Sequence, residues 1–406
     1  MTAAASEVDS HMVHSECQVS PILRTPCEIT SVIFQHCLPE DEFPQASVKS
    51  PPIGLSRVCS HWRKLAIGTP QLWSKILLCT SPHDSENILT DRMRSQGEAL
   101  KVWMRRAAPF LLSVHLKYPT LPKFSDSTVS MKRLNHVLDF ILENPTSWKS
   151  FRLSLPRGYL AYTWMTIQHN SPSLESFHID DTSIPLFGPV DSDMPSFLTM
   201  DTAQTLSMLS ARASIFYPPF NTTPFVRLRT LSLKHTGPYQ CLQLLKYCPV
   251  VEDLNLSFYD LHDRAIPSEN PTSPILLPRL RDFHLSHTGN SENGDSPFAA
   301  GGEIGQLLDK LDLPNLRWFY LWMTILGCAR YSNHDLPWDY LLRLITGSNC
   351  SLDRLELRSP HIDTSSMLEC LRFSPDLKYL GIPAHDKLER EVKELLPGLD
   401  SLRIFR

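Results

Sequence analysis

One pattern governs what the second half of this chain can fold into: apolar-x-x-apolar-x-apolar, repeated at near-regular intervals. Clear copies start at Leu174, Leu228, Val251, Leu280, Leu316, Leu352, Leu377 and Leu399, and weaker ones at Trp148 and Leu206. The mean interval is about 28 residues, within the range of stacked repeat units. The last apolar pair of each copy alternates with polar residues, the signature of a strand with one buried face. Between copies, apolar residues recur at three- and four-residue steps, predicting helices over Val137 to Leu142, Cys241 to Tyr247, Ile304 to Leu311, Tyr340 to Ile345 and Met367 to Phe373. A strand-then-helix unit of this size cannot bury its own apolar face, so neighbours must stack. The predicted class is α/β: a curved solenoid with parallel strands on its concave face, spanning 148–406. Polar inserts at 181–197, 258–275 and 286–303 interrupt it, and the last, rich in Ser, Asn, Gly and Asp, reads as a loop.

The copies resemble irregular leucine-rich repeats that lack the regular asparagine, as Leu256-Ser-Phe and Leu285-Ser-His illustrate. Residues between the apolar positions should line the opposite face. Most are small or polar: Thr230, Ser232 and Lys234, then Asp253, Asn255 and Ser257, then Asp282, His284 and Ser286. The next copy departs with Trp318, Tyr320 and Trp322, followed by Arg354, Glu356 and Arg358 and then Tyr379. Large aromatics beside arginines have the composition of an interface hot spot, which makes these seven the candidate substrate contacts. The alternative is that the 286–303 insert or the loop after Trp322 folds over them.

Towards the N-terminus, residues 1–20 are polar and aperiodic, an expected disordered segment. Residues 21–78 carry three short helical signatures. Ile29, Val32, Ile33 and Cys37 form a stripe after Pro26. Leu55, Val58, Cys59, Trp62, Leu65 and Ala66 form a second, and Thr69-Pro70 opens a third that takes in Leu72, Trp73 and Ile76. Residues 79–147 form linker helices and a first solenoid-capping segment, in which the helix Glu98 to Ala107 should pack on the first strand, near Leu112, Val114 and Leu116.

Pro26, Glu28-Ile29, Ile33-Phe34, Cys37-Leu38, Val58-Cys59, Trp62-Arg63, Ala66 and Thr69-Pro70-x-Leu72-Trp73 together resemble an F-box, as fungal F-box proteins carry it. The resemblance implies docking onto a Skp-type adaptor and, through it, a cullin ubiquitin ligase. It implies adaptor contacts from Pro26, Glu28, Ile29, Ile33, Phe34, Leu55, Val58, Trp62, Leu72 and Trp73, with Trp62 and Ile33 expected in the core. Thr25 departs, standing where the family usually has leucine. With F-box and repeats together, the expected function is substrate recognition for a ubiquitin ligase. The alternative is an interaction scaffold that delivers nothing for ubiquitination.

Composition narrows the rest. A net charge of −4 gives no footprint for nucleic acid or an anionic membrane. Only 15 glycines, and no Gly-rich phosphate loop, His-Glu-x-x-His or Gly-x-Ser-x-Gly motif, leave no expected cofactor and no expected catalytic residue. Ten cysteines without a Cys-x-x-Cys pair read as reduced, mostly buried thiols, neither a disulfide frame nor a zinc site. The first residues lack a secretory leader's basic and apolar regions, and no apolar run is long enough to span a bilayer. The expected location is the cytoplasm or nucleus.

Overall fold

Parallel strands require a crossover between them, and this chain supplies one after nearly every strand, giving an α/β protein built on one large parallel sheet. The computed structural model describes residues 21–39, 42–81, 84, 86–118, 134, 137–141, 143–144, 147–155, 159–160, 163, 173–181, 205–212, 224–234, 238–259, 273–290, 304–326, 338–358, 364–383 and 388–405. Twelve strands pair side by side in chain order: β1 (Lys75–Cys79), β2 (Leu112–Lys117), β3 (Trp148–Leu155), β4 (Ser176–Asp181), β5 (Met208–Arg212), β6 (Thr230–Lys234) and β7 (Asp253–Tyr259), then β9 (Asp282–Asn290), β11 (Trp318–Leu326), β12 (Arg354–Arg358), β13 (Tyr379–Pro383) and β14 (Ser401–Phe405). Two further strands, β8 (Ile275–Leu276) and β10 (Leu311–Asp312), form a separate parallel pair.

Register aligns the apolar positions of neighbouring copies. Leu231, Leu254, Phe283, Phe319, Leu355 and Leu380 occupy one row, and Leu233, Leu256, Leu285, Leu321 and Leu357 another, all buried. Helices follow at Pro238–Leu245, 304–309, Trp338–Ser348, Thr364–Arg372 and Leu388–Leu395. The first four match predicted helices to within a few residues; the last was not predicted. The last strand breaks the burial rule. Leu402 is half-buried and Ile404 exposed, because β14 has a neighbour on one side only.

The expected borders need correction at two places. The sheet begins at Lys75, so β1 lies almost wholly within the segment assigned to the helical module, whereas β2 falls where the first strand was expected, at Leu112, Val114 and Leu116. Ile76 accordingly belongs to a strand, not a helix. The predicted loop at 286–303 is strand through Asn290. Its remainder, most of the other two inserts and residues 1–20 lie outside the described residues.

Against the sheet's first strands lies α4 (Glu86–Ala107), twelve residues longer at its start than predicted. Leu89, Met93, Leu100, Trp103 and Ala107 form its buried stripe. The Trp103 indole N–H donates to Lys75 O at 3.1 Å and Gln96 Nε2 to Cys79 O at 2.6 Å, fixing the helix to β1.

At the N-terminal end, α1 (Cys27–His36) follows Pro26 directly, and α2 (Ile53–Ser56) and α3 (Ser60–Ile67) replace the single second helix of the prediction. Cys59 is extended and caps α3, its Sγ accepting from the Trp62 backbone N–H at 3.4 Å. The phase of the apolar stripe therefore resets there, which turns Val58 outward. The third predicted helix is a single 3-10 turn, Pro70–Trp73. Thr69 does not cap it; its hydroxyl donates back to Leu65 O at 2.8 Å and lies 3.2 Å from Ser31 Oγ.

Of the eight described cysteines, all free, Cys241, Cys248, Cys350 and Cys370 are buried, whereas Cys27 and Cys37 are exposed. Burial pushes the Cys350 thiol up to about 11. Among the described residues no helix is long and apolar enough to cross a membrane.

Candidate functional site

Two surfaces stand out, one on the N-terminal helices and one on the sheet. In α1 the buried side chains are Thr30 and Phe34; Phe34 meets the half-buried Trp62 edge-on at 4.9 Å between ring centroids. The apolar stripe read from the sequence faces the other way: Ile29 is 53% exposed, Val32 49% and Ile33 42%. Ile33 is thus not core. Val58, at 61%, and Ile67 add further uncovered apolar surface in the same module.

Pro26 and Glu28 are also exposed, and Leu55 and Trp62 are half-buried. Phe34, Leu72 and Trp73 drop out as contacts, because each is essentially inaccessible. Trp73 is instead the joint between helices and sheet. Its indole N–H donates to Ala66 O at 2.8 Å, its ring meets Trp103 edge-on at 4.8 Å, and the Arg106 guanidinium lies 4.3 Å above it.

On the sheet, strand alternation sends Phe319, Leu321 and Met323 inward and leaves Trp318, Tyr320 and Trp322 on the opposite face. Trp318 and Tyr320 are half-buried and Trp322 is 39% exposed. Register places Trp318 between Asp282 and Arg354, Tyr320 between His284 and Glu356, and Trp322 between Ser286 and Arg358. His284 lies edge-on to Trp318 at 4.6 Å, and the Arg354 guanidinium sits 5.7 Å from the Trp318 ring.

Glu356, only 7% exposed, is a correction to the contact set. Its carboxylate accepts from Arg358 Nε at 2.7 Å and from the Tyr379 hydroxyl at 3.1 Å, so it positions those two side chains.

Two residues of the same face escaped the sequence reading. Phe405 lies 4.3 Å beneath Arg358, and Arg403 lies 5.2 Å from Phe405. A Cβ on Gly381 would come within 2.9 Å of the Phe405 ring and 3.0 Å of Glu356 Cγ, so a bare backbone there makes room for both. The signal was available, since alternation in the last copy, Leu399 to Ile404, assigns Arg403 and Phe405 to this face.

The face is electrostatically divided. Asp253 and Asp282 sit opposite each other on β7 and β9. Burial, then a hydrogen bond to Asp253 and its charge, raises the Asp282 carboxyl above its ordinary value of 3.8, against the pull of Arg354 and Arg281. Burial also lowers His284, opposed by Asp253 and Glu356.

A raised folded-state value means the native state holds this proton more tightly than the unfolded chain does. The contribution to stability is therefore present below 3.8 and lost as pH rises through the raised value. Asp282→Asn should stabilise the protein at pH 7, by no more than about 1 kcal/mol because the pair is solvent-screened. The gain should shrink below pH 4 when urea unfolding is compared at both pH values. Destabilisation at pH 7 would mean that Arg354 and Arg281 outweigh the repulsion.

Among the described residues no group of three or more His, Cys, Asp or Glu side chains is placed to hold a metal ion. No protein-family model matches the chain, and no curated protein matches it.

Proposed function

We propose that this chain is the substrate-recognition subunit of a Skp/cullin/F-box ubiquitin ligase. In this reading α1–α3 form an F-box that docks a Skp-type adaptor, and the sheet with its helices is a degenerate leucine-rich-repeat solenoid that takes a protein substrate. The observation that carries it is the outward apolar face of α1. A ten-residue helix anchored by Thr30 and Phe34 while Ile29, Val32 and Ile33 remain in water is arranged to meet another protein.

Pro26, Glu28, Ile29, Ile33 and Val58 then supply the adaptor surface, with Leu55 and Trp62 at its margin. Phe34, Leu72 and Trp73 shape it from beneath. The chain performs no bond-making step itself. Its contribution is proximity: a bound substrate's lysine is held near a charged ubiquitin-conjugating enzyme, and the effective concentration does the rest.

Co-purification of the full chain with a Skp-type adaptor tests the reading. Wild type should capture the adaptor, and Ile29→Asp/Val58→Asp should not, each substitution at such a hot spot being worth about 2 kcal/mol or more. Because both side chains are exposed, circular dichroism and thermal midpoint should stay unchanged. Failure of wild type to capture the adaptor would overturn the ligase assignment.

A further inference from the structure

We infer that the segment bound by the sheet face is an extended peptide lying across the strands, with a basic side chain over Asp253 and Asp282, apolar residues along Trp318, Tyr320 and Trp322, and an acidic side chain against Arg354. This rests on the reading of that face as the one meeting a partner protein, and adds the chemistry and spacing of what it meets.

Charge complementarity selects the occupant. One row of the face reads Asp253, Asp282, Trp318, Arg354 on four adjacent strands, so opposite charges flank an aromatic. The two carboxyls face each other one ladder step apart on β7 and β9, so their like charges oppose, which a cation between them would relieve. Arg358 already has Glu356 as its partner at 2.7 Å. Arg354 is exposed, lies 5.7 Å from the Trp318 ring, acts on Asp282 only from beyond contact distance and, among the described residues, has no ion-pair partner within 4 Å. A polyanion would meet the carboxylates, and an all-acidic peptide would meet them too.

Strand spacing sets the distance. From β9 to β12 is two ladder steps and from β7 three, about 10 to 14 Å at roughly 4.8 Å per step. An extended peptide advances about 3.3 Å per residue, so the two charges should lie about three or four residues apart.

The test uses the full chain and fluorescein-labelled synthetic peptides with one Lys and one Asp separated by one to seven positions around Tyr and Leu. Binding should peak at a separation of three or four, about tenfold above the extremes of the series. Asp282→Lys should weaken that best peptide about tenfold and be rescued by its Lys→Glu counterpart. Arg354→Glu, rescued by Asp→Lys in the peptide, is the independent second variant.

Absence of peptide binding, indifference to separation, or tighter binding of an all-acidic peptide or of oligothymidine would each overturn the inference. Adaptor capture measured on the same preparations separates the two readings. Capture without charge-spaced peptide binding rejects this inference and leaves the ligase subunit; the converse supports the inference and removes the ligase.

Discussion

Trp73→Ala should cost about 3–5 kcal/mol of stability, the range for truncating a large buried aromatic. The site offers little room for relaxation, since Trp73 lies between α3, β1's flank and α4, fully inaccessible. Its loss opens a cavity against Trp103, leaves Ala66 O without its indole donor, and removes the ring beneath Arg106. Each effect has the same sign. Trp73→Phe should recover most of the packing and lose the hydrogen bond, a residual deficit of about 1–2 kcal/mol. Urea unfolding of both variants, followed by near-ultraviolet circular dichroism, checks the ordering. A loss below 1 kcal/mol for the alanine variant would show that the helices and sheet are not joined through this residue.

Leu285→Asp should be more severe, above about 4 kcal/mol, because it places an unpaired carboxylate in the apolar row of β9 between Leu256 and Leu321. Its form should also be distinctive. Among the described residues each strand of the large sheet pairs only with its immediate neighbours, and β9 alone lies between β7 and β11 there. Losing it should split the unfolding transition in two, with β1–β7 and β11–β14 melting separately, as in other arrays held by nearest-neighbour contacts. Leu285→Ala, at about 2–5 kcal/mol, should keep one transition. A single cooperative transition in the aspartate variant would show coupling by another route.

Much of this was legible because the sheet repeats. A pattern stated several times over can lose its asparagine and still place Leu231, Leu254, Phe283 and Phe319 in one row, and strand alternation alone put Trp318, Tyr320 and Trp322 on the face where they lie. Local pattern failed where long-range contacts decide. Ile76 reads as the continuation of a helix, yet pairing with Val114 makes it strand. The stripe of α1 is apolar enough to be core, but the contacts of Phe34 with Trp62 of α3 and of Ser31 with Thr69 claim the other face. Glu356 looked like surface because periodicity assigns a side of a strand, not what covers it. Phe405 and Tyr379 were required for that.

The chain-order pairing of the strands also makes the molecule a ruler. From β1, which α4 holds through Trp103 and whose Leu77 N–H donates at 2.8 Å to Pro44 O in the segment between α1 and α2, the aromatic strand is eight graduations away, about 38 Å along the sheet. Adding or removing one strand and its crossover would move the aromatic strand by about 5 Å without altering either end. Under the proposed ligase reading, which lysine on a bound protein comes within range would then be set by a count of strands, a quantity that insertion or deletion of whole units can change in one step.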